Sequence, residues 1–444
     1  MSSYIYEIDV DDISELIIKE LTLNPKYLPK IELVKCLASY SIPIRSLLSS
    51  SKLNFLDEHF FDTIIVPALP RSLIRDNNLD NIQCRFTYSQ KSKIIAPLTH
   101  YDLAIRKFGN IDHGINIYAD RLCLRRLVDV VFSKPGLEYP EICINTTIRA
   151  SEDGVVYSEP MRLFPVNMQP GFPSVGFQFE TFLTRNNIDI GTNAPGPVKV
   201  INSSYLIDII SIGGVKILCR SELDAVKASS ITYGVYPNEK KKIQNSFSTC
   251  RNWFQEVYKS PIEYIDRRLD VPCRVIYSDN LKPGIIESDS RVELKTISYR
   301  NVGKFPWTST YFQMLLGTTS TLIKGNHTHG SFNKGSIQSY NLNEVRDFSI
   351  KEVHENAAID IPKVNWDKIT VGIAFLEASL KYIRDILIPE IASTIHSVND
   401  VYGQNINISI TRGYRKIIFR LLNELDPLPK MLGPTEDWRK YVDM

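Results

Sequence analysis

Two short segments of the chain carry the side chains that hydrolysis of a phosphate ester requires. In the first segment, Glu222 and Asp224 stand two positions apart. In the second, Glu293 and Lys295 have the same spacing, and in each segment a leucine separates the two polar residues. On a β-strand, this spacing places both polar side chains on one face, about 7 Å apart, and turns the leucine toward the core. If the two strands are neighbours, three carboxylates and a lysine converge.

Such a convergence predicts a bound cation. Carboxylates in one place repel one another and raise each other's pKa, and a divalent cation removes that repulsion. Ligands that are all oxygen favour Mg²⁺ or Mn²⁺ over zinc. One ion lowers the pKa of a bound water, and a second, about 4 Å away, stabilises the leaving oxygen of a phosphoryl displacement. The pattern is therefore typical of a metal-dependent phosphodiesterase with two divalent ions.

The residues alone leave other interpretations open. Glutamate and lysine that alternate along a strand are also a common solvated surface, and short motifs give many false matches. His327 and His329, two positions apart, could share a metal or act as an acid/base pair, although a third histidine or carboxylate is missing nearby.

The segments that must position these residues are predicted from apolar spacing and turn residues. Helices are predicted over residues 11–22, 201–212, 307–317 and 371–388. Strands are predicted over residues 142–150, 174–182, 214–226, 291–298 and 320–325, with two more around Gly413 within 405–422. Strands interspersed with helices predict an α/β (α+β) protein, with mixed central β-sheets flanked by helices in one large domain over residues 1–444.

Composition excludes several classes of protein. The 444 residues are 43% hydrophobic and carry a net charge of +2, which argues against a disordered chain and against a wholly basic nucleic-acid binder. The seven cysteines are scattered without a CxxC pair, which suits a reducing compartment. Because no 18-residue apolar run occurs, we expect a soluble intracellular protein without a membrane partner. P-loop, GxGxxG and GxSxG motifs are absent from the sequence.

Two further segments complete an ordered set of motifs. Gly176-Phe-Gln-Phe-Glu180 lies upstream of the two carboxylate segments, and Gln313-Met-Leu-Leu-Gly317 lies downstream, before a stretch that ends at Gly325. This order resembles that of the DXO family of decapping exoribonucleases, whose fold is related to the PD-(D/E)XK nucleases. The chain is most similar to the cytoplasmic fungal branch of that family, the yeast homologue. Arg149, in Asn-Thr-Thr-Ile-Arg-Ala, is the candidate for the leading arginine motif.

The resemblance implies a role for each matched residue. Lys295 and Gln313 would position the nucleophilic water and the scissile phosphate, and Arg149 would bind RNA phosphates. The implied catalytic residues are Glu222, Asp224, Glu293, Lys295 and Gln313. The implied metal ligands are Glu180, Glu222, Asp224, Glu293 and the backbone carbonyl of Leu294.

The resemblance also implies a function in the quality control of mRNA caps. Family members remove incomplete or unmethylated caps as GpppN and degrade 5′-monophosphate RNA in the 5′→3′ direction, and many remove NAD caps or release pyrophosphate. We therefore expect RNA 5′ ends as the substrate, a monomer without a stable protein partner, and a location in the cytoplasm, with the nucleus as a second location.

The chain departs from the family pattern at Ala150, where the family usually has Gly, in the Lys and Trp spacing before Gln313, and in one interval. The interval between Asp224 and Glu293 is longer than in the family, which predicts an insertion within residues 226–290. Two alternatives to a DXO-like exoribonuclease remain. One is a non-catalytic module that binds RNA or a nuclease, and the other is a decapping enzyme of the histidine-triad type that uses His327 and His329.

Overall fold

The structure is a computed structural model that describes most of the predicted motif region and parts of the rest of the chain. The described residues are 5–47, 63–66, 68, 70–73, 82–84, 88–90, 114–132, 142–150, 156–158, 161–165, 175–185, 199–227, 261–266, 271–277, 286–353, 365–396, 404–413 and 416–422.

Strands dominate the described part of the chain. They are β1 Ile5–Asp9, β2 Ile31–Leu47, β3 Thr63–Val66, β4 Ser72–Leu73, β5 Ile82–Gln83, β6 Tyr88–Gln90, β7 Ile117–Asp120, β8 Ile142–Ala150, β9 Val156–Ser158, β10 Met161–Pro165, β11 Thr184–Arg185, β12 Lys199–Ile212, β13 Val215–Leu223, β14 Ala225–Val226, β15 Pro261–Asp266, β16 Val271–Tyr277, β17 Arg291–Ser298, β18 Thr321–His327, β19 Ser331–Phe332, β20 Ile337–Asn341, β21 Gln404–Gly413 and β22 Lys416–Leu422. The α-helices are Val10–Leu23, Arg121–Phe132, Gly176–Leu183, Trp307–Leu316, Leu342–Val353, Lys368–Tyr382 and Ile388–His396.

The described strands form two main sheets. The larger follows the order β1-β22-β21-β8-β10-β7-β13-β12-β2-β3-β16-β15, and the smaller follows β11-β4-β14-β17-β18-β20. Both sheets mix parallel and antiparallel pairs; β13 is parallel to β7, for example, and β17 is parallel to β18. Helices pack their apolar faces into the largest core cluster, as Leu124 and Phe375 do. The predicted class, mixed β-sheets flanked by helices, is confirmed.

One stretch of backbone belongs to both sheets. Strand β13 pairs with β12 and β7 in the large sheet, and after Asp224 the chain continues as β14 in the small sheet. There Ala225 pairs with Val292 of β17 in antiparallel register. The two carboxylate segments of the sequence therefore lie on neighbouring strands, as the spacing predicts, and they meet where the chain passes from one sheet to the other.

A buried ion pair joins the two sheets beside this crossing. Arg291, the first residue of β17, donates to Asp208 of β12 through Nη1 at 2.5 Å and through Nη2 at 3.0 Å. Its remaining N–H groups reach the carbonyls of Ile286 and Gly317 and the hydroxyl of Thr318. Arg291 is 0% exposed. Such a pair is tolerated in a core because every donor has an acceptor.

Two sequence predictions about elements are wrong. Residues 201–212 are not a helix but lie in β12, where every side chain from Ser203 to Ile210 is buried. A strand covered on both faces lacks the polar alternation that identifies a strand. The turn that follows consists of Gly213 and Gly214, whose φ angles of 55° and 84° are those of a tight hairpin turn. This Gly-Gly pair is the sequence signal for a hairpin that the helix prediction overlooked.

The second error concerns residues 174–182, which were predicted as a strand. The structure has a helix, Gly176–Leu183. Phe179 and Leu183, four positions apart, are both buried in one core cluster. Packing at helical spacing therefore prevails over the strand propensity of aromatic residues.

The other predicted elements are confirmed to within a few residues. The helix predicted over 371–388 is Lys368–Tyr382, continued by a π-helical turn, Ile383–Leu387, and by the next helix.

No helix in the described part of the chain has the length and hydropathy needed to cross a bilayer. The predicted insertion within 226–290 lies largely outside the described residues, apart from the hairpin of β15 and β16 at one edge of the large sheet. That insertion and the single-domain boundaries stay predictions.

The ion pair between Arg291 and Asp208 generates a prediction about stability. Replacing Arg291 with Met leaves Asp208 buried without its cation, so we expect the free energy of unfolding to fall by about 3–5 kcal/mol. Urea denaturation followed by circular dichroism measures the change. Arg300→Met, at an exposed position nine residues on, is the matched control and should change little. Equal unfolding midpoints for the two variants would contradict the assignment.

Candidate active site

The candidate site gathers side chains from four elements around the crossing between the sheets. Glu222 is the penultimate residue of β13, Asp224 is the crossing residue, and Glu293 lies on β17. Glu180 extends from helix Gly176–Leu183, and Gln313 from helix Trp307–Leu316. The carboxyl group of Asp224 is close enough to Glu293, Lys295, Glu180 and Glu222 for each of them to shift its pKa. The structure thus brings together all the sequence-predicted carboxylates.

Local packing fixes the positions of these elements. Leu294 is 3% exposed and packs in a core cluster with Phe179, Val292 and Phe332. The backbone N–H of Leu294 donates to Oδ2 of Asp224 at 2.8 Å. Because Phe179 occupies this cluster, the next residue of its helix, Glu180, is held beside the two strands. The leucine between Glu293 and Lys295 therefore faces the core, as the strand spacing predicts.

Gly325, which closes the motif set on β18, is constrained by the same aromatic pair. A Cβ atom at this position would lie 2.6 Å from ring atoms of Phe179 and of Phe332. These two rings are stacked with centroids 4.8 Å apart. Only glycine leaves room for the rings, so Gly325 serves the packing that holds helix Gly176–Leu183 in place.

Each carboxylate has a partner within the protein. Glu180 accepts a hydrogen bond from Nη2 of Arg71 at 2.9 Å, and Glu222 accepts one from the hydroxyl of Ser203. Glu293 is the centre of the network. Its Oε1 accepts from Nζ of Lys295 and from Nε2 of Gln313, both at 2.5 Å. The predicted pairing of Lys295 with the carboxylates therefore takes the form of a direct contact with Glu293.

The crowding of acidic groups has the predicted effect on some of their pKa values. Burial, followed by repulsion from Glu293, raises the pKa of Asp224 well above its usual value. Burial likewise raises the pKa of Glu180 despite the attraction of Arg71. Burial alone would raise the pKa of Glu293 too, but Lys295 and Arg121 lower it overall. Within this neighbouring pair, the surroundings therefore favour the protonated form of Asp224 and the ionised form of Glu293.

The pKa of Lys295 shows which form of the amine the site contains. Burial works to lower the pKa of Lys295, but the attraction of Glu293 and then of Asp224 raises it overall. Lys295 is therefore an ammonium ion at neutral pH. It can donate hydrogen bonds and attract anions, but it has no lone pair with which to take a proton.

Three arginines at the site were missed by sequence reasoning. Arg71 pairs with Glu180, and Arg121 contacts Oε2 of Glu293 at 3.4 Å. Nη1 of Arg125, one helical turn after Arg121, donates to Oε1 of Gln313 at 3.2 Å. The residues that Arg71 and Arg121 contact lie 109 and 172 positions away in the sequence. The four-residue spacing of Arg121 and Arg125 on one helix face was a weak signal, since it is also common on solvated helices.

The chemistry of the donor set fits a divalent cation. Its side-chain donors are all carboxylate oxygens, and burial raises the pKa values of Asp224 and Glu180, as expected for acids that a cation would help to hold away from water. Among the described residues, however, no three Asp, Glu, His or Cys side chains are already arranged as a metal site. The partners described above hold the carboxylates, so binding an ion requires the carboxylates to exchange some of those contacts.

Two other predictions concern residues outside this cluster. Arg149 lies on β8, three strands from β13 in the large sheet, and its side chain is outside the described residues; its role in binding RNA stays a prediction. His327 is 7% exposed, and its Nδ1 accepts the backbone N–H of Gly330 at 3.2 Å. Burial and then the charge of His329 lower the pKa of His327. His327 thus orders the turn at the end of β18.

The pairing of Arg71 with Glu180 generates a prediction about pH. In an Arg71→Met variant, we expect a loss of about 2 kcal/mol in the free energy of unfolding at pH 8, because the half-buried carboxylate of Glu180 loses its charged donor. The loss should shrink toward pH 5. Burial already raises the pKa of Glu180, and without Arg71 the pKa rises further. A carboxyl whose folded pKa is raised destabilises the fold only as pH climbs above its unfolded value.

Urea denaturation at pH 5 and pH 8 measures this difference. Lys30→Met, which removes the exposed ion pair between Lys30 and Glu32, is the control and should have little effect at either pH. If Arg71→Met costs the same stability at both pH values, Glu180 does not depend on Arg71 for its charge.

Solved structures of three fungal proteins resemble the chain. Rai1 from Candida albicans, crystallised in complex with pU5-Mn²⁺, has a TM-score of 0.50 at 11% identity, over 94% of this chain and 97% of that chain. S. pombe Rai1 has a TM-score of 0.47 at 13% identity, over 95% of this chain and 100% of that chain. K. lactis Dxo1, in complex with manganese, has a TM-score of 0.41 at 9% identity, over 96% and 100%.

The sequence itself matches no protein-family model and no curated protein. The similarity to Candida albicans Rai1 extends over almost the whole of both chains. The chain therefore has the fold of Rai1, and the predicted resemblance to the DXO family is confirmed at the level of the fold.

Proposed function

We propose that the chain is a hydrolase that acts at RNA 5′ ends and depends on a divalent cation. The observation that carries this proposal is the meeting of Glu222, Asp224 and Glu293 with Lys295 and Gln313 at one point. A surface strand would leave such side chains in solvent, but here Glu293 is 1% exposed. Burying like charges is costly, so a cluster of this kind is typical of a functional site.

The reaction class follows from the chemistry of these side chains. A divalent cation, when bound, supplies the charge that favours hydroxide near neutral pH and neutralises a phosphoryl group. The residues that would hold it are Glu180, Glu222, Asp224, Glu293 and the backbone carbonyl of Leu294. Lys295, as an ammonium ion, would attract a phosphate oxygen and orient the attacking water. Gln313 would donate from its amide to the phosphate.

Arg121 adds a function that the motifs did not reveal. It contacts Glu293 and the backbone carbonyl of Gln313, at 3.4 Å and 3.3 Å. A guanidinium group only donates hydrogen bonds, so Arg121 requires an acceptor oxygen on Glu293. The positive charge of Arg121 also offsets the negative charge of Glu293. The site can therefore admit a phosphate group without facing it with an uncompensated row of carboxylates.

For the substrate, we propose RNA with an unmethylated cap, released as GpppN, and 5′-monophosphate RNA, degraded in the 5′→3′ direction. Support comes from the fold shared with Candida albicans Rai1, a protein that was crystallised with pU5 and Mn²⁺. Removal of NAD caps is a further proposal of the same kind. One phosphodiester site can serve all these ends, since only the group beyond the first phosphodiester differs. The monomeric state and the cytoplasmic location stay predictions.

The comparison of three RNA ends tests the proposed substrate. Wild-type protein with Mn²⁺ or Mg²⁺ receives the same RNA with an unmethylated cap, a triphosphate or a monophosphate. We expect GpppN from the capped RNA and mononucleotides from the monophosphate RNA. RNA binding without any product would favour the alternative of a non-catalytic binding module. Products that form in EDTA would favour a metal-independent enzyme such as the histidine-triad type.

Removal of two carboxylates tests the site assignment. We expect Glu222→Ala combined with Asp224→Ala to lower the rate of hydrolysis at least a thousandfold, because the metal loses two of its ligands. Product release from radiolabelled RNA measures the rate. A control that combines Glu15→Ala with Asp347→Ala removes two exposed carboxylates elsewhere and should retain the wild-type rate. Retained activity in a folded Glu222→Ala/Asp224→Ala variant would contradict the assignment.

Thermal unfolding tests metal binding without reference to activity. A ligand that binds only the folded protein adds about 2.7 kcal/mol of stability at a hundred times its dissociation constant. We therefore expect Mn²⁺ to raise the Tm of the wild type. The rise should be larger at pH 8 than at pH 5.5, because Asp224, whose pKa is raised by burial and by Glu293, must lose its proton to become a ligand. The same rise in the Glu222→Ala/Asp224→Ala variant would contradict binding at this site.

A further inference from the structure

The side-chain amide of Gln313 lies between two groups of opposite hydrogen-bonding character. On one side, its Nε2 donates to Oε1 of Glu293 at 2.5 Å. On the other side, its Oε1 accepts from Nη1 of Arg125 at 3.2 Å. An ionised carboxylate only accepts and a guanidinium only donates, so the amide can satisfy both neighbours in one orientation and in no other. The donor and acceptor character of the two neighbours therefore fixes which side of the amide carries the oxygen and which the nitrogen.

We propose that Arg125 is a positioning residue that sets the orientation of Gln313 and thereby makes Gln313 a hydrogen-bond donor to the substrate. Nε2 has two N–H groups, and Glu293 occupies one of them. The second N–H is the group that remains for a phosphate oxygen, while the amide oxygen faces Arg125. This inference rests on the proposed function and assigns a role to a residue that lies outside all the motifs.

The surroundings of Arg125 argue against a purely structural role. Burial lowers the pKa of Arg125, and its Nε is buried without a hydrogen-bond partner among the described residues. A buried donor without an acceptor reduces stability. A hydrophobic side chain would fill this position on helix Arg121–Phe132 at less cost. The contact with Gln313 gives the arginine a use that packing does not.

A double-mutant cycle on hydrolysis of 5′-monophosphate RNA with Mn²⁺ tests the proposal. We expect Gln313→Ala to lower kcat about a hundredfold, the usual effect of removing one donor to a developing negative charge. Arg125→Met should lower kcat about tenfold with little change in KM, because the amide loses its fixed orientation. The double variant should have the kcat of Gln313→Ala alone, since Arg125 acts only through Gln313.

Two further variants separate positioning from folding. Arg384→Met removes the exposed ion pair with Asp385, away from Gln313, and should keep the wild-type kcat. Arg125→Lys retains a donor for Oε1 of Gln313 and should recover kcat to within about threefold of the wild type. If Arg125→Met fails to fold, as judged by its Tm, the cycle is run with Arg125→Lys and Arg125→Gln, which differ in reach but remain polar.

Several outcomes of the cycle would overturn the positioning role of Arg125. Multiplicative losses in the double variant, or a raised KM with unchanged kcat, would show that Arg125 contacts RNA itself and would overturn the proposal. An unchanged kcat in folded Arg125→Met would also overturn it. If the wild type binds RNA but does not cleave it, the proposed function fails instead. In that case the same cycle, measured on the dissociation constant for the RNA by fluorescence anisotropy, tests whether Arg125 acts through Gln313.

Discussion

The passage of one strand from the large sheet to the small sheet is the constraint on which the candidate site depends. Glu222 is fixed by the pairing of β13 with β12, and Ala225 by the pairing of β14 with β17. Asp224 stands between these two sets of backbone hydrogen bonds, so its position follows from both sheets at once. The ion pair of Arg291 with Asp208 locks the same two sheets a short distance away. A site at such a junction is rigid, since neither sheet can move without distorting the other.

Charge is distributed around this junction so that buried acids become tolerable. Arg71, Arg121 and Lys295 each contact a carboxylate, and burial together with repulsion from Glu293 raises the pKa of Asp224. A proton and a divalent cation would compete for this carboxylate. Ligand binding by proton exchange is characteristic of metal sites built from acidic residues. The cations beside the carboxylates also lower the negative charge that the cluster presents to its surroundings.

Some of this arrangement was predictable from the sequence, for identifiable reasons. Glu293 and Lys295 were placed correctly because one short strand with a leucine between them carries the whole signal. Glu180 was placed at the site by its motif, but its element was assigned wrongly, since Phe179 packs at a spacing that only the tertiary structure reveals. The contact of Arg71 with Glu180 could not be predicted, because nothing in the sequence around residue 71 indicates it. The orientation of side chains across a junction of sheets is not encoded locally.

The crossing at Asp224 also bears on how the chain folds. The hairpin of β12 and β13 closes through a two-residue turn at Gly213 and Gly214, so Glu222 reaches its place through local contacts. Glu293 arrives from 71 residues further along the chain, after loop closure that is slower and entropically more costly. The carboxylates therefore come together only when both sheets are formed. In a partly folded chain Glu222 and Glu293 are apart, so the buried cluster is a property of the completed fold.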